Sequence, residues 1–292
     1  MERTSSLRII TVFFSKENAA EFNDRNRMEI EKSGILLTVV DNGENKEYVE
    51  NIKNAKYIKN CSNKGYGYAL NRGVEESTED YILLVNDDIK ISDAFLSGLK
   101  KRLELYRKNR YSLIGFRVIS GATNRSGIQK VAYNPLVILY HFSPLPFIFS
   151  LFSKGNGYCG AGETMHSSIA SREVMGVNGS IMLINREDFN RVGGFDEEYF
   201  LTYEETDLFI RLLKKKNRIF YDASLKAYHK HTLTSGEESL KYSFTSMMHF
   251  LKKHYGGICA KFVYFWIYSF LSMKKIITLN RMGGGIEYLK KP

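Results

Sequence analysis

The stretch Tyr81-Ile82-Leu83-Leu84-Val85-Asn86-Asp87-Asp88 decides the fold class of this chain. Its first five residues are all apolar or aromatic, which is typical of a strand buried on both faces of a sheet. Three side chains that carry oxygen acceptors follow where the strand ends. Because open α/β sheets bind their ligands beyond the carboxyl ends of their strands, Asn86, Asp87 and Asp88 are predicted to lie at a binding site.

Similar apolar runs alternate with helical patterns on both sides of this stretch. Strands are predicted at residues 9–14, 36–41, 111–119 and 177–184, and helices at residues 17–31, 69–76, 187–191 and 204–215. A further helix is predicted to follow Asp93, whose side chain is placed to cap it. This alternation predicts an α/β fold with a mainly parallel, Rossmann-like sheet flanked by helices.

The composition is that of a globular protein. Of 292 residues, 43% are hydrophobic, 25% are charged and only four are proline, which excludes a mainly disordered chain. The 42 Lys and Arg residues exceed the 32 Asp and Glu residues, so the formal net charge is +10. That balance suits nucleic acid, an anionic membrane surface or a phosphorylated small molecule equally well.

Several sequence signatures are absent. Without a Walker-type phosphate loop, a zinc finger or an RNA-recognition motif, neither a Walker-type nucleotide triphosphatase nor a nucleic-acid partner is expected. Cys61, Cys159 and Cys259 lie far apart and lack Cys-x-x-Cys spacing, so they are interpreted as reduced thiols. Residues 1–8 are polar and charged rather than apolar like a signal peptide, and a cytoplasmic location is therefore expected.

An uncharged segment occupies residues 131–153. It contains Pro135, Pro144 and Pro146, three of the four prolines of the chain. A membrane-spanning helix needs about 20 apolar residues in line, and two prolines near the middle would break it. The segment is therefore interpreted either as an interfacial loop or as an apolar flap packed on the core.

The composition shifts at residue 236. Residues 236–292 hold nine Lys and Arg against three Glu, a net charge of +6. The uncharged, aromatic run 262–273 lies between Lys261 and the pair Lys274 and Lys275. It is too short to span a bilayer, but aromatic residues flanked by lysine suit the headgroup boundary of a membrane. The alternative is a C-terminal helix docked on the body of the protein.

Acidic residues crowd the start of the helix predicted at 204–215. The helix dipole alone favours acids in a first turn, and Asp207 can also pair with Arg211 four residues on. Glu204 and Glu205 have no such obvious partner. Adjacent residues on a helix point about 100° apart, so at most one of the two is expected to face a given pocket.

The sequence also contains candidate ligands for a metal ion. The adjacent carboxylates Asp87 and Asp88 suit Mg²⁺ or Mn²⁺ bridging a diphosphate, although Asn-Asp-Asp is also common in solvated turns. His229 and His231 share a face if they lie on a strand, so they could both ligate zinc. One histidine joining a carboxylate at a Mg²⁺ or Mn²⁺ site fits the sequence equally well.

Taken in order, four fragments resemble family 2 glycosyltransferases, inverting enzymes with a nucleotide-diphosphate-sugar domain of the A type. They lie at residues 39–43, 63–71, 84–88 and 193–211, and the resemblance covers residues 8–235. It is nearest to the rhamnosyltransferase-like and galactofuranosyltransferase-like branch of bacterial surface-polysaccharide assembly. It implies a catalytic domain at 1–235, with a donor-binding half at 1–120 and an acceptor and catalytic half at 121–235, followed by a basic aromatic helical tail at 236–292.

The resemblance also implies roles for single residues at the donor site. Asp41 and Asn63 would contact the nucleobase and Asp87 the ribose or donor sugar, with Gly65 and Asn71 in the same donor-binding set. Asp88 stands at the last position of the family's Asp-x-Asp motif and would bind Mg²⁺ or Mn²⁺. The first position of that motif is Asn86 here, which removes one carboxylate.

Two further roles follow from the resemblance. His229 matches a histidine that some members use as an additional metal ligand. Glu205 matches the position of the catalytic base, with Glu204 and then Asp207 as the next choices.

The implied reaction is transfer of one sugar from a dTDP-linked or UDP-linked donor to a membrane-linked glycan acceptor. The Gln-x-x-Arg-Trp motif of processive synthases is absent, so a single sugar per acceptor is expected. The basic aromatic tail fits an acceptor anchored by a polyprenyl diphosphate, which predicts a peripheral location on the inner face of the plasma membrane. The alternatives are a nucleotidyltransferase and a non-catalytic protein that binds nucleotide sugars or polyanions.

Overall fold

The computed structural model describes residues 5–50, 52–120, 135–141, 143, 170–230 and 237–277. The chain divides into two compact units. The first comprises the described parts of Met1–Lys130, Met165–Phe200 and Glu204–Leu233, and the second those of Val131–Thr164, Leu201–Tyr203 and Thr234–Pro292.

The described residues of the first unit form one nine-stranded sheet. Its strands are β1 (Leu7–Phe13), β2 (Leu36–Asp41), β3 (Ala55–Lys59), β4 (Tyr81–Val85), β5 (Ile89–Lys90), β6 (Tyr111–Ser120), β7 (Arg172–Glu173), β8 (Ile181–Asn185) and β9 (Arg218–His229). Their order across the sheet is β3-β2-β1-β4-β8-β6-β9-β5, and β7 pairs with β9 outside this path.

The sheet is mixed. Strands β1 to β4 pair in parallel, as do β6 and β9, which confirms the predicted parallel framework. Strand β8 runs antiparallel to both β4 and β6, and β5 and β7 run antiparallel to β9. An apolar run reads the same for either strand direction, so the sequence pattern carries no signal for this reversal.

Eight helices occur in the described residues. They are α1 (Lys16–Ser33), α2 (Tyr66–Glu75), α3 (Asp93–Lys108), α4 (Pro135–His141), α5 (Arg186–Arg191), α6 (Glu204–Lys214), α7 (Glu237–Tyr255) and α8 (Gly257–Ile277), and residues Lys46–Tyr48 form a short 3-10 turn. Ser15 caps α1 by accepting a hydrogen bond from the Asn18 amide. The predicted cap Asp93 is wrong by one position, because the Ser92 hydroxyl accepts from the Phe95 amide and Asp93 is the first helical residue.

Helices α1 and α3 contribute aromatic side chains to the core of the first unit. Phe22 lies edge-on to Phe13 of β1 with ring centroids 5.5 Å apart, and Phe95 lies edge-on to Phe116 of β6 at 5.0 Å. All four rings are buried. Burying one such side chain contributes about 1.5–3 kcal/mol, so these contacts hold the sheet against the helices and fix its strand ends.

The described residues of the second unit are mainly helical. Val263 and Ile267 of α8 pack with Met247 and Leu251 of α7 and with Ile138 of α4. This confirms the predicted helical tail over residues 237–277. Most of the uncharged segment 131–153 lies outside the described residues, although residues 135–141 form α4. Among the described helices, none combines the length and the apolar character needed to cross a bilayer.

Candidate active site

The carboxyl end of β4 is the centre of the candidate site. After Val85 the chain turns, with the Ile89 amide donating to the Asn86 carbonyl oxygen at 3.2 Å. Ile89 of β5 then pairs with His229 of β9, and the Lys230 amide donates to the Asp88 carbonyl oxygen at 3.1 Å. Backbone pairing therefore brings the end of β9 beside the turn that follows β4.

Asp88 and His229 meet at this point. The Nε2 atom of His229 lies 3.1 Å from Oδ2 of Asp88, and both side chains are about 15% exposed. The predicted metal ligands are thus neighbours in space, although β6, β8 and the rest of β9 separate them in sequence. His231, the other histidine considered for zinc, lies outside the described residues.

This pair fits a magnesium or manganese ion. A carboxylate oxygen and an imidazole nitrogen are suitable ligands, and Mg²⁺ is commonly held by one or two carboxylates together with substrate phosphates. The described residues contain no group of three or more His, Cys, Asp and Glu placed to hold a metal.

Asp87 has a different environment from Asp88. Burial raises the pKa of its carboxyl, a hydrogen bond from the Asn18 side chain opposes that rise, the charge of Asp88 adds to it, and the result is about 6. Asn18 lies in the first turn of α1 and was not among the residues selected from the sequence. Its position resembles that of any polar residue at a helix start, so nothing in the sequence distinguishes it.

Tyr66, at the start of α2, interacts with the residues after β4 and with the glutamates at the start of α6. Its hydroxyl donates a hydrogen bond to Oδ1 of Asn86 at 2.5 Å. Burial raises the pKa of Tyr66 well above its usual value, and the carboxylates that raise it further are Glu205, Asp87, Glu204 and Asp88. The acidic residues after β4 and those of α6 therefore all act electrostatically on one tyrosine. Sequence reasoning did not select Tyr66, although it stands within one of the four matching fragments.

The two glutamates of α6 differ in burial. Glu204 is only 3% exposed, and its Oε2 atom has no hydrogen-bond partner among the described residues. Burial, and then the neighbouring charge of Glu205, raise the pKa of Glu204 well above its ordinary value, which favours its neutral form. Glu205 is partly exposed. Only Glu205 of this pair is an accessible carboxylate.

Asp207 forms the internal pair that its spacing predicted. Its Oδ2 atom lies 2.6 Å from Nε of Arg211, and its side chain is fully buried. Nη1 of Arg211 also donates to the Val192 carbonyl oxygen at 2.7 Å. The pair ties α6 to the loop before it, and the prediction that Asp207 has a structural partner is confirmed.

Asn71 of α2 holds the same loop from the other side. Its Nδ2 atom donates to the Phe195 carbonyl oxygen at 2.9 Å and to Glu197 at 3.0 Å, while its Oδ1 accepts from the Phe195 amide. Gly194 has a φ of 65°, and a Cβ there would lie 2.7 Å from Oδ1 of Asn71. The Asn71 side chain thus hydrogen-bonds to the loop before α6. A contact between Asn71 and the sugar donor stays a prediction.

The loops after β2 and β3 hold the predicted nucleobase residues. The buried Asp41 carboxylate accepts hydrogen bonds from the Gly43 amide, from the amide and side chain of Asn45, and from the Tyr57 hydroxyl. Burial raises the pKa of Asp41, but these hydrogen bonds outweigh it and the net shift is downward. Asp41 is therefore an ionised anchor of its loop, and its contact with a base stays a prediction.

Asn63 and Gly65 lie beside that loop. Oδ1 of Asn63 accepts from the Asn42 side chain at 3.1 Å and from the Gly65 amide at 3.0 Å. Gly65 has a φ of 108°, and a Cβ there would lie 2.6 Å from the Phe200 carbonyl oxygen. Only glycine fits this close approach, which brings the start of α2 against the segment before α6.

The sequence of this chain matches two models of known protein families. Residues 11–159 match the family model described as Glycosyl transferase family 2, and residues 161–256 match the model described as Glycosyltransferase like family 2. The first range contains the strand-end acids and the second contains α6 and His229.

Two curated relatives are rhamnosyltransferases. N-acetylglucosaminyl-diphospho-decaprenol L-rhamnosyltransferase of Mycobacterium tuberculosis is 26% identical over 189 residues, which cover 60% of this chain and 59% of the relative. Rhamnosyltransferase WbbL of Escherichia coli K12 is 28% identical over 173 residues, which cover 56% of this chain and 61% of the relative. The match spans about three fifths of the length of each relative.

A solved structure shares the fold. Mannosyltransferase PcManGT from Pyrobaculum calidifontis, determined in complex with GDP-Man and Mn²⁺, aligns with a TM-score of 0.56 at 9% sequence identity. The alignment covers 96% of this chain and 77% of that one. The predicted A-type glycosyltransferase fold is confirmed by this likeness and by the sheet order described above.

Proposed function

This chain belongs to glycosyl transferase family 2, and from that premise we propose that it is an inverting glycosyltransferase. It moves one sugar from a nucleotide-diphosphate sugar to a membrane-linked glycan acceptor in cell-surface polysaccharide assembly. The observation that carries this proposal is the 3.1 Å approach of the Asp88 carboxylate to His229 at the carboxyl end of β4. A divalent cation held there would receive the diphosphate of the donor.

Asp88 and His229 are the proposed metal ligands. A bound Mg²⁺ or Mn²⁺ would neutralise the charge that builds on the diphosphate as it leaves. Asp87, in the same turn, is the residue proposed to hydrogen-bond the ribose or the donor sugar. Asp41 and Asn63 are proposed to contact the nucleobase of the donor. Gly65 and Asn71 complete the proposed set of donor-binding residues.

Glu205 is the proposed catalytic base. It would take the proton of the acceptor hydroxyl as that oxygen attacks the anomeric carbon, and a single in-line displacement inverts the anomeric centre. Its two rivals are less suited to the role. Burial raises the pKa of Glu204 and favours its neutral form, and the Asp207 carboxylate is buried against Arg211.

The acceptor is proposed to be a polyprenyl-diphosphate-linked glycan. The name of the mycobacterial relative describes a diphospho-decaprenol substrate, and both relatives are named for rhamnosyl transfer. dTDP-rhamnose is therefore the first donor to try, and a UDP-linked sugar is the second. The reaction would take place at the inner face of the plasma membrane.

The outer face of α8 supports a location at the membrane surface. Ile258, Phe262 and Phe265 are 89%, 58% and 65% exposed, and Lys261 lies beside them. Residues at this spacing share one face of a helix, opposite the face that packs on α7. Exposed aromatic side chains flanked by lysine are suited to the headgroup region of an anionic bilayer.

Binding calorimetry tests the donor site first. Purified protein would be titrated with UDP, dTDP and GDP, each with Mn²⁺ or Mg²⁺ and again with a chelator. Metal-dependent binding of one nucleotide supports the proposal and limits the donor to sugars carried by that base. Absence of binding under every condition contradicts the proposed Asp88 site.

A transfer assay then separates catalysis from binding. Sugar transfer by the wild type with the matching nucleotide sugar and a polyprenyl-diphosphate acceptor supports the enzyme. Metal-dependent binding without turnover on any acceptor tested would instead favour a non-catalytic nucleotide-sugar-binding protein.

A further inference from the structure

The Glu205 side chain lies directly against Gly179, in the turn that precedes β8. A Cβ built at Gly179 would lie 2.0 Å from Oε1 of Glu205, 2.5 Å from its Cδ and 2.8 Å from its Cγ. Gly179 does not adopt a left-handed φ. What this position requires is therefore the absence of a side chain rather than an unusual backbone conformation.

The same turn is bonded to the strand end that carries the acidic residues. The Ser180 amide donates to Oδ1 of Asn178 at 2.8 Å, which closes the turn. The Ser180 carbonyl oxygen accepts from the Asn86 amide at 2.9 Å, and Ile181 pairs with Val85 at the end of β4. The backbone at residues 178–180 is thus fixed relative to Asp87 and Asp88.

We propose that Gly179 is a positioning residue for transfer, and that the turn at residues 178–180 sets the place of the Glu205 carboxylate relative to the strand end after β4. This inference rests on the proposed function of Glu205 as the base. The backbone of the turn lies against the Glu205 side chain. The hydrogen bond from the Asn86 amide to the Ser180 carbonyl oxygen holds this backbone at the end of β4.

The contact predicts an effect on catalysis that is separate from folding. The clashing atoms belong to the far end of a flexible side chain, so even a methyl group at 179 is accommodated by moving the carboxylate. Misplacing a reacting group by about 1 Å can cost about 100-fold in rate. Gly179→Ala is therefore expected to lower kcat about 100-fold while nucleotide affinity and melting temperature change little.

The test compares Gly179→Ala with a matched glycine. Gly98→Ala is the control, because a Cβ there also meets a flexible tip, that of Leu225 at 2.7 Å, but within the core and away from Glu205. Gly98→Ala is expected to keep kcat near the wild-type value. Equal losses in the two variants would overturn the proposal, since crowding alone would then explain the effect.

A second arm tests whether Gly179 acts through Glu205. In Glu205→Ala the side chain ends at Cβ, so the carboxylate that the added methyl group would displace is absent. Gly179→Ala is therefore expected to cause little further loss of kcat in that background, which is the non-additivity of two coupled residues. Full additivity of the two substitutions would overturn the inference.

Two readouts keep this inference distinct from the proposed function. If Glu205→Gln retains transfer, Glu205 is not the base and the proposed mechanism fails. If Glu205→Gln is inactive but Gly179→Ala is fully active, only the positioning role fails. A crystal structure of Gly179→Ala requires no activity: a displaced Glu205 carboxylate supports the inference, and an unmoved one overturns it.

Discussion

The hydroxyl of Tyr66 donates a 2.5 Å hydrogen bond to Oδ1 of Asn86 and so joins the start of α2 to the end of β4. The resemblance to family 2 glycosyltransferases places a carboxylate at position 86. The amide that stands here accepts the same hydrogen bond without adding a further acidic group to the four that act on Tyr66. Asn86 therefore replaces the carboxylate expected from the family and still has a hydrogen-bond partner, Tyr66.

Tyr66→Phe is expected to destabilise the protein. The substitution removes this hydrogen bond between two partly exposed side chains, which typically costs about 0.5–1.5 kcal/mol of the free energy of unfolding. Urea denaturation measures the loss. Tyr68→Phe is the control, because Tyr68 lies two residues on beneath Lys64 and is partly exposed. Equal effects of the two variants would show that the hydrogen bond has no special weight.

Glu205→Gln is expected to abolish nearly all transfer while donor binding is kept. The amide has the shape of the carboxylate but cannot accept a proton, so the loss should appear in kcat rather than in nucleotide affinity. Initial rates and calorimetry measure the two quantities. Transfer at the wild-type rate would remove Glu205 from the role of base.

Glu204→Gln is expected to change the pH dependence of stability. The folded-state pKa of Glu204 is raised by burial and by Glu205, so the wild type binds this proton more tightly when folded. Its contribution is complete below the ordinary glutamate pKa and is lost as pH rises toward the folded value, at up to about 1.4 kcal/mol per pH unit. A glutamine stays neutral and has no such loss.

Denaturation of the two proteins at pH 5 and pH 8 measures this difference. The variant should lose less stability than the wild type between these conditions. Parallel behaviour of the two proteins would contradict the raised pKa of Glu204. Because Glu204 is not the proposed base, the variant is also expected to retain nucleotide affinity.

His229→Ala is expected to weaken metal-dependent nucleotide binding. It removes an imidazole that lies 3.1 Å from Asp88, and disturbing a metal site typically lowers metal affinity about 10–100-fold. Binding in chelator should not change. His249→Ala, in α7, is a histidine control in the other unit. Wild-type affinity in His229→Ala would remove this residue from the proposed ligand set.

A triple variant of Ile258, Phe262 and Phe265 to serine is expected to release the protein from anionic vesicles. Burying one apolar side chain contributes about 1.5–3 kcal/mol, so partitioning should fall at least about tenfold. Sedimentation with anionic and zwitterionic vesicles measures it. Leu240→Ser, an exposed residue of α7, is the control. Unchanged partitioning of the triple variant would contradict a membrane role for this face.

The triple variant is a sharper test than removing residues 258–292. Such a deletion would also take away Val263 and Ile267, which pack on α7, and would expose the partners that they cover. Release of the truncated protein is expected as well. Only the serine substitutions change the outer face and leave the packed one intact.

Part of the fold could be predicted from the sequence. Strands β2 and β4 have the predicted bounds, because each is a continuous buried apolar run that ends at a polar residue. Strands β3, β5, β7 and most of β9 were not predicted, since they are short or carry polar residues on an exposed face. Strand β8 begins at Ile181 rather than at residue 177, because Asn178 and Ser180 close a turn.

Part of the candidate site could also be predicted from the sequence. Asp88, His229 and Glu205 were selected because the resemblance assigns them roles, and the structure brings Asp88 beside His229. Asn18, Tyr66 and Gly179 were not selected. Their importance lies in contacts between segments distant in sequence, and neither periodicity nor residue type records such a contact.

The place of β8 in the sheet has a consequence for how the chain is synthesised. β8 lies between β4 and β6, both of which precede it in the chain. A ribosome therefore completes β4 and β6 well before the strand that joins them exists. Until then each presents an unpaired edge of backbone donors and acceptors, the kind of surface that recruits other chains. Until β8 emerges, the nascent polypeptide therefore exposes two strand edges that the folded sheet covers.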